Sequence, residues 1–196
     1  MPLPPPSARV PLHTRTVNYH GYLRDDGLWE IEAELCDTKD YDLHLPGHPL
    51  LPAHTPIHNM VIRVAVDDRM VVREIATNMI STPFAECQQA QDPMQKMIGC
   101  TMGPGWRKAI ENNLGGIVSC THLRELLFNM ATAAYQTIPI YLRQFRPEKP
   151  RVSGVRVMPP MHLGKCLAWD FNGPVVKRYA PEFYGYIDPD QLVSSS

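Results

Sequence analysis

Two histidines and their neighbours are the first candidates for chemistry. His58 precedes Met60 and Ile62 at strand spacing, so its imidazole is expected to point inward with them. A ring there serves as a base, an acid or a ligand near neutral pH; it serves equally as a core histidine satisfied by one hydrogen bond. Ser119-Cys120-Thr121-His122-Leu123 follows a Gly-Gly pair and opens an apolar helical pattern. Ser119 or Thr121 suits the N-cap. Cys120 then lies beside backbone N–H groups that stabilise a thiolate. Glu125, one turn on, is placed to orient or charge His122. The same segment also reads as a small buried cysteine followed by a capping residue.

Tyr22-Leu23-Arg24-Asp25-Asp26-Gly27 puts an arginine and two carboxylates at a strand end. It is either an acid/base or substrate-anchoring cluster, with Asp25 as a base, or a turn with a surface ion pair. Asp37-Thr38-Lys39-Asp40 ends the next strand. Antiparallel pairing would leave Asp25 and Asp37 at opposite ends, in different roles. Cys87, Cys120 and Cys166 with His58 and His122 offer zinc-ligand types, but only Cys120 and His122 are close in sequence, so no metal is expected. Dinucleotide, phosphate-loop, nucleophile-elbow and HExxH motifs are absent.

These residues need elements to hold them. Trp29, Ile31, Ala33 and Leu35 alternate with Glu30, Glu32 and Glu34, the pattern of a strand with one dry and one wet face. Asp25-Asp26-Gly27 is turn chemistry, with Val17–Arg24 as the partner strand. Ile57–Val66 is a second strong strand, and Met70–Thr77 returns from it, completing an antiparallel meander. Helical spacing follows over Phe84–Ile98, broken near Pro93, over Pro104–Leu114, and over Thr121–Ile138, where Pro139 should kink or end the helix. Asp42–Thr55 reads as a long loop and 146–160 as a linker. Leu163–Tyr179 reads as a closing hairpin turned at Asn172-Gly173. The expected fold is α+β: a meander packed by about three helices, with an extended arm over 1–14, one domain over 15–185 and a tail over 186–196.

Composition bounds the function. The 196 residues carry 19 basic and 20 acidic side chains with no block of like charge, which argues against nucleic acid or an anionic membrane as the main partner. No run approaches the roughly 18 apolar residues of a membrane helix. Met1–Val10 is proline-rich without an apolar core, so no signal peptide is expected. Five cysteines, an odd number without a CxxC pair, point to reduced thiols and a cytoplasmic location. Ten methionines and eight tyrosines either wall a large apolar ligand or fill a core. The proline-rich arm and apolar side chains outside the obvious core suggest a homodimer.

Several segments together resemble one bacterial family, the "domain of unknown function 2889". They are Gly21–Ile31, Asp37-Thr38-Lys39, Ile57-His58-Asn59-Met60, Gly103-Pro104-Gly105-Trp106, and Gly115-Gly116 followed by Cys120–Leu126. The resemblance runs from about Arg15 to about Phe183. The chain has Asn59 where the family usually has aspartate, and it has Leu167 where the family usually has histidine; the loss of that histidine further weakens a metal proposal. Cys36 and Cys100 match no family position. One branch is similar to lyases of aromatic catabolism and lignin degradation that remove the γ-carbon of aromatic dimers as formaldehyde, leaving a stilbene. The implied enzyme is a cofactor-independent carbon-carbon lyase acting on a small aromatic substrate by acid/base catalysis. Catalytic roles would fall to His58, His122 and Asp25, with Arg24, Tyr22, Lys39, Cys120 and Glu125 at the substrate. The alternative is a non-catalytic ligand-binding or metal-stabilised accessory module.

Overall fold

The computed structural model describes residues 3–146, 159–160 and 162–187. The chain divides into two compact units, 1–146 and 147–196. In the first, β1 (His13–Leu23), β2 (Trp29–Lys39), β3 (His58–Val66) and β4 (Val72–Ser81) form one antiparallel sheet in sequence order. The α+β class and the meander therefore stand as the alternation indicates. The β1–β2 register sets Leu23 opposite Trp29 and Arg15 opposite Asp37. In β2–β3, Asp37 faces His58.

One sheet face is dry. Trp29, Ile31, Ala33, Leu35 and then Asp37 are buried along β2, matched by Met60, Ile62 and Val64 on β3. Over this face packs α2 (Thr121–Phe145), buried through Leu123, Leu126, Leu127, Met130, Ala134 and Ile138, and against α2 packs α1 (Trp106–Leu114), buried through Trp106, Ile110 and Leu114. The methionines belong here: Met60, Met79, Met94, Met97, Met102 and Met130 fill the sheet–helix core, because inward parity and gap-filling flexibility put them there.

Local chemistry decides two departures from expectation and one alternative left open. Over 84–98 there is no α-helix but two 3₁₀ segments, Ala85–Ala90 and Asp92–Met97; Pro93 lacks an N–H and disfavours α geometry at the residue before it. Of the two outcomes expected at Pro139, a kink or an end, the end is not found: α2 runs past Ile138 to Phe145 with Pro139 inside it. Past the proline, Tyr141 packs edge-on against Trp29, with ring centroids 5.4 Å apart. In the second unit the expected hairpin is absent: Pro174–Tyr179 is a helix, α3. A type I′ turn needs positive φ at both central residues, but Gly173 has φ −85°. Pro174 supplies the preset φ of a first helical position. The 146–160 linker and the 186–196 tail lie largely outside the described residues.

Gly21 marks the closest approach of β1 to α2. Its backbone is ordinary, but a Cβ there would overlap the Thr137 side chain. Gly21→Ala should cost about 1–3 kcal/mol through overpacking, with part recovered by Thr137→Ala in the same chain. The urea midpoints of the two single variants and the double variant check this; additive losses would contradict the contact.

Candidate functional site

At the sheet end remote from the Asp25 turn, β1, β2, β3 and the start of α2 converge on one carboxylate. Asp37 continues the inward parity of β2 and is 2% exposed. A carboxylate buried there needs partners, and three residues supply them. Arg15, its register partner, donates from Nε to Oδ1 at 2.8 Å and from a terminal nitrogen to Oδ2 at 2.9 Å. His13 Nε2 lies 3.2 Å from Oδ1, and His58 Nδ1 lies 3.1 Å from Oδ2. Burial pushes the Asp37 carboxyl up, but the hydrogen bonds and charge of Arg15, aided by His13 and His58, outweigh it and hold Asp37 below the usual carboxylate range. Asp37 is thus ionised and only accepts. The proton between it and His58 sits on Nδ1, leaving His58 Nε2 with a free lone pair.

His122 completes the corner from the first turn of α2. Its ring lies 4.1 Å from that of His58, centroid to centroid, its Nε2 3.8 Å from Asp37 Oδ2, and its Nδ1 3.6 Å from Cys120 Sγ. Both rings are mostly buried, with a fifth of each side chain exposed. Burial lowers the pKa of both. For His58 the Asp37 charge opposes this; for His122 the charges of His58 and Arg15 add to it. Each ring therefore takes up a proton less readily than a free imidazole.

Asp37, His58 and His122 are also the described residues whose ligand atoms lie close enough, within 4.8 Å of one another, to share an ion. One observation favours a hydrogen-bonded relay. The Arg15 guanidinium already neutralises the carboxylate on both oxygens.

Beside the corner opens a groove of about 450 Å³ whose lining includes Arg15, Tyr19, Arg107, Glu125, Phe128 and Asn129. Glu125 accepts from Arg15 at 2.8 Å, so one ion pair borders both corner and groove. The methionine lining expected for a pocket is not found there; aromatic walls come from Tyr19 and Phe128.

The structure brings His58, His122, Cys120 and Glu125 together. Cys120 itself occupies the N-cap position, with no side-chain cap bond, rather than Ser119 or Thr121. Lys39 ends β2 at the same sheet end, its ammonium 6.0 Å from the Tyr41 ring centroid. The remaining expectations fall elsewhere. Asp25 and Arg24 lie just beyond the other end of β1, nine or more residues from Arg15, roughly 30 Å along a strand. Arg24 is tied to Asp26 and Glu74. Tyr22 stands on the opposite sheet face from Arg15, near His20. Asp37, Arg15 and His13 have no place among the expected site residues. The available signal was parity, since Asp37 follows Trp29, Ile31, Ala33 and Leu35 onto the dry face.

A family model described as "Protein of unknown function (DUF2889)" matches residues 13–136, a span that contains the whole corner and groove. No curated protein and no solved structure matches the chain. No described helix is long and apolar enough to cross a membrane.

Proposed function

The chain belongs to this DUF2889 family, and we propose that it is a lyase that cleaves the γ-carbon from aromatic dimers as formaldehyde by proton transfer at the His58–Asp37–His122 corner. The observation that carries the reading is two imidazoles in contact, their centroids 4.1 Å apart, beside one buried, Arg15-held carboxylate, with the Arg15–Glu125 ion pair bordering an aromatic-walled groove. Its reaction class is an expectation from the resemblance set out above.

The chemistry balances without an oxidant. The substrate, as its phenolate, expels the benzylic oxygen, giving a quinone methide. His58 Nε2 takes the γ-hydroxyl proton. The Cβ–Cγ bond then breaks, its electrons form the Cα–Cβ double bond and restore the phenolate, and formaldehyde leaves. Asp37 stabilises the imidazolium formed, as a buried carboxylate does for a histidine base. The adjacent His122 ring returns the proton to the expelled oxygen. A phenylcoumaran-type dimer yields stilbene and formaldehyde; a diarylpropane-type dimer yields water as well. Cys120 forms no covalent adduct in this scheme.

The pH dependence has a definite sign. A base acts when neutral, and both histidine pKa values are lowered by burial. The acid limb of kcat/KM should therefore lie below the ordinary imidazole value of about 6.5. A limb at or above that value would contradict the assignment. The second reading, a metal-stabilised module, takes its support from the mutual proximity of Asp37, His58 and His122. Elemental analysis separates the two: stoichiometric zinc on a protein that releases no formaldehyde favours the module.

A further inference from the structure

We propose that the groove beside the corner is a binding site for an aromatic carboxylate and that Arg107 is its anion anchor. The inference deepens the lyase reading, on which it rests for what becomes of the ligand, by selecting acid-bearing aromatics over neutral ones.

The groove's walls are set by the fold. On β1, Val17 and Tyr19 continue the inward parity of Arg15, and the Tyr19 hydroxyl donates to the Leu126 carbonyl at 3.3 Å. On α2, Leu126 and Phe128 face them. The α1–α2 junction is pinned by the buried Trp106 indole, which donates to the Leu127 carbonyl at 2.8 Å. The next residue on each helix is then brought together: the Arg107 guanidinium carbon lies 5.0 Å from the Phe128 ring centroid. A guanidinium stacked on a ring keeps its N–H edges free for a planar acceptor.

Charge decides what that acceptor is. Arg15 is committed to Asp37 and Glu125. Arg107 has no ion-pair partner among the described residues, so its guanidinium is the unpaired cation on the groove's wall. At neutral pH a phenol, with a pKa near 10, brings no charge, whereas a carboxylate does. A volume of about 450 Å³ is in the range of small-molecule sites. One aromatic ring between Tyr19 and Phe128, its acid on Arg107, satisfies walls and charge together.

The test is calorimetric titration with two probes, 4-hydroxy-3-methoxycinnamate and its methyl ester. The full chain should bind the acid about fivefold more tightly than the ester, the scale of one partly exposed ion pair. Arg107→Gln should abolish the preference, and Arg107→Lys should keep part of it. Equal affinities in the unaltered chain, no binding of either probe, or a preference that survives Arg107→Gln would overturn the proposal. Binding needs no turnover, so the outcomes separate. Acid preference without formaldehyde release sinks the lyase reading alone, and formaldehyde release without acid preference sinks the anchor alone.

Discussion

His58→Gln and His122→Gln should each lower formaldehyde release by on the order of 100-fold or more while the fold survives, the usual weight of a positioned acid or base. Both side chains are amides of near size at the rim of the core, and neither ring holds the sheet together. His58→Gln removes the lone pair freed by Asp37. His122→Gln keeps a polar group near Cys120 but cannot relay a proton. Because the two rings handle one proton, the double variant should be little worse than either single variant. Initial rates on a γ-hydroxymethyl dimer, with circular dichroism to confirm folding, measure this. Full activity in either variant, or multiplicative losses in the double variant, would contradict a shared relay.

Asp37 should matter to both stability and rate. Asp37→Ala leaves the Arg15 guanidinium and the His58 N–H facing a dry sheet face without their acceptor. A broken buried ion pair costs about 3–5 kcal/mol; Arg15 is about a third exposed, and solvent screening brings the expected loss to about 2–3 kcal/mol. Asp37→Asn should fold better, yet turn over on the order of 1,000-fold more slowly, because an amide no longer fixes the His58 tautomer or stabilises its cation. The pH sign follows from the lowered Asp37 pKa. Its stabilisation is fully present above the unfolded carboxyl value of about 3.9 and is lost as pH falls through the lower folded value. Asp37→Asn should flatten that acidic part of the stability curve. Urea midpoints across pH 2–7 check it, and an unchanged acid slope would remove Asp37 from its central position.

What could be read in advance follows from the physics of strands. Alternation shows which face a side chain takes, so His58 was correctly expected to point inward, and the helical stripe from Leu123 placed His122 at a helix start. The parity that buries Leu35 also buries Asp37. Its main cation was within reach as well: the tight turn at Asp25-Asp26-Gly27 fixes the β1–β2 register, and that register sets Arg15 opposite Asp37. The β2–β3 register was not legible, because a long loop rather than a tight turn joins those strands, so the Asp37–His58 pairing had no local signature. Arg24 and Asp25, with Tyr22 beside them, have the residue types of a site, but a turn rich in Asp and Arg is what a solvated hairpin tip needs. The 163–179 hairpin failed for a different reason. Asn172-Gly173 is a strong hairpin signal in isolation, and Pro174 immediately after it turned the segment into a helix start.

The most direct test is chemical. The purified chain, incubated with a phenolic aromatic dimer bearing a γ-hydroxymethyl group, should release formaldehyde and a stilbene in equal amounts, with no oxygen consumed. Substrate returned unchanged, or a product that retains its γ-carbon, would contradict the proposed activity at the His58–Asp37–His122 corner.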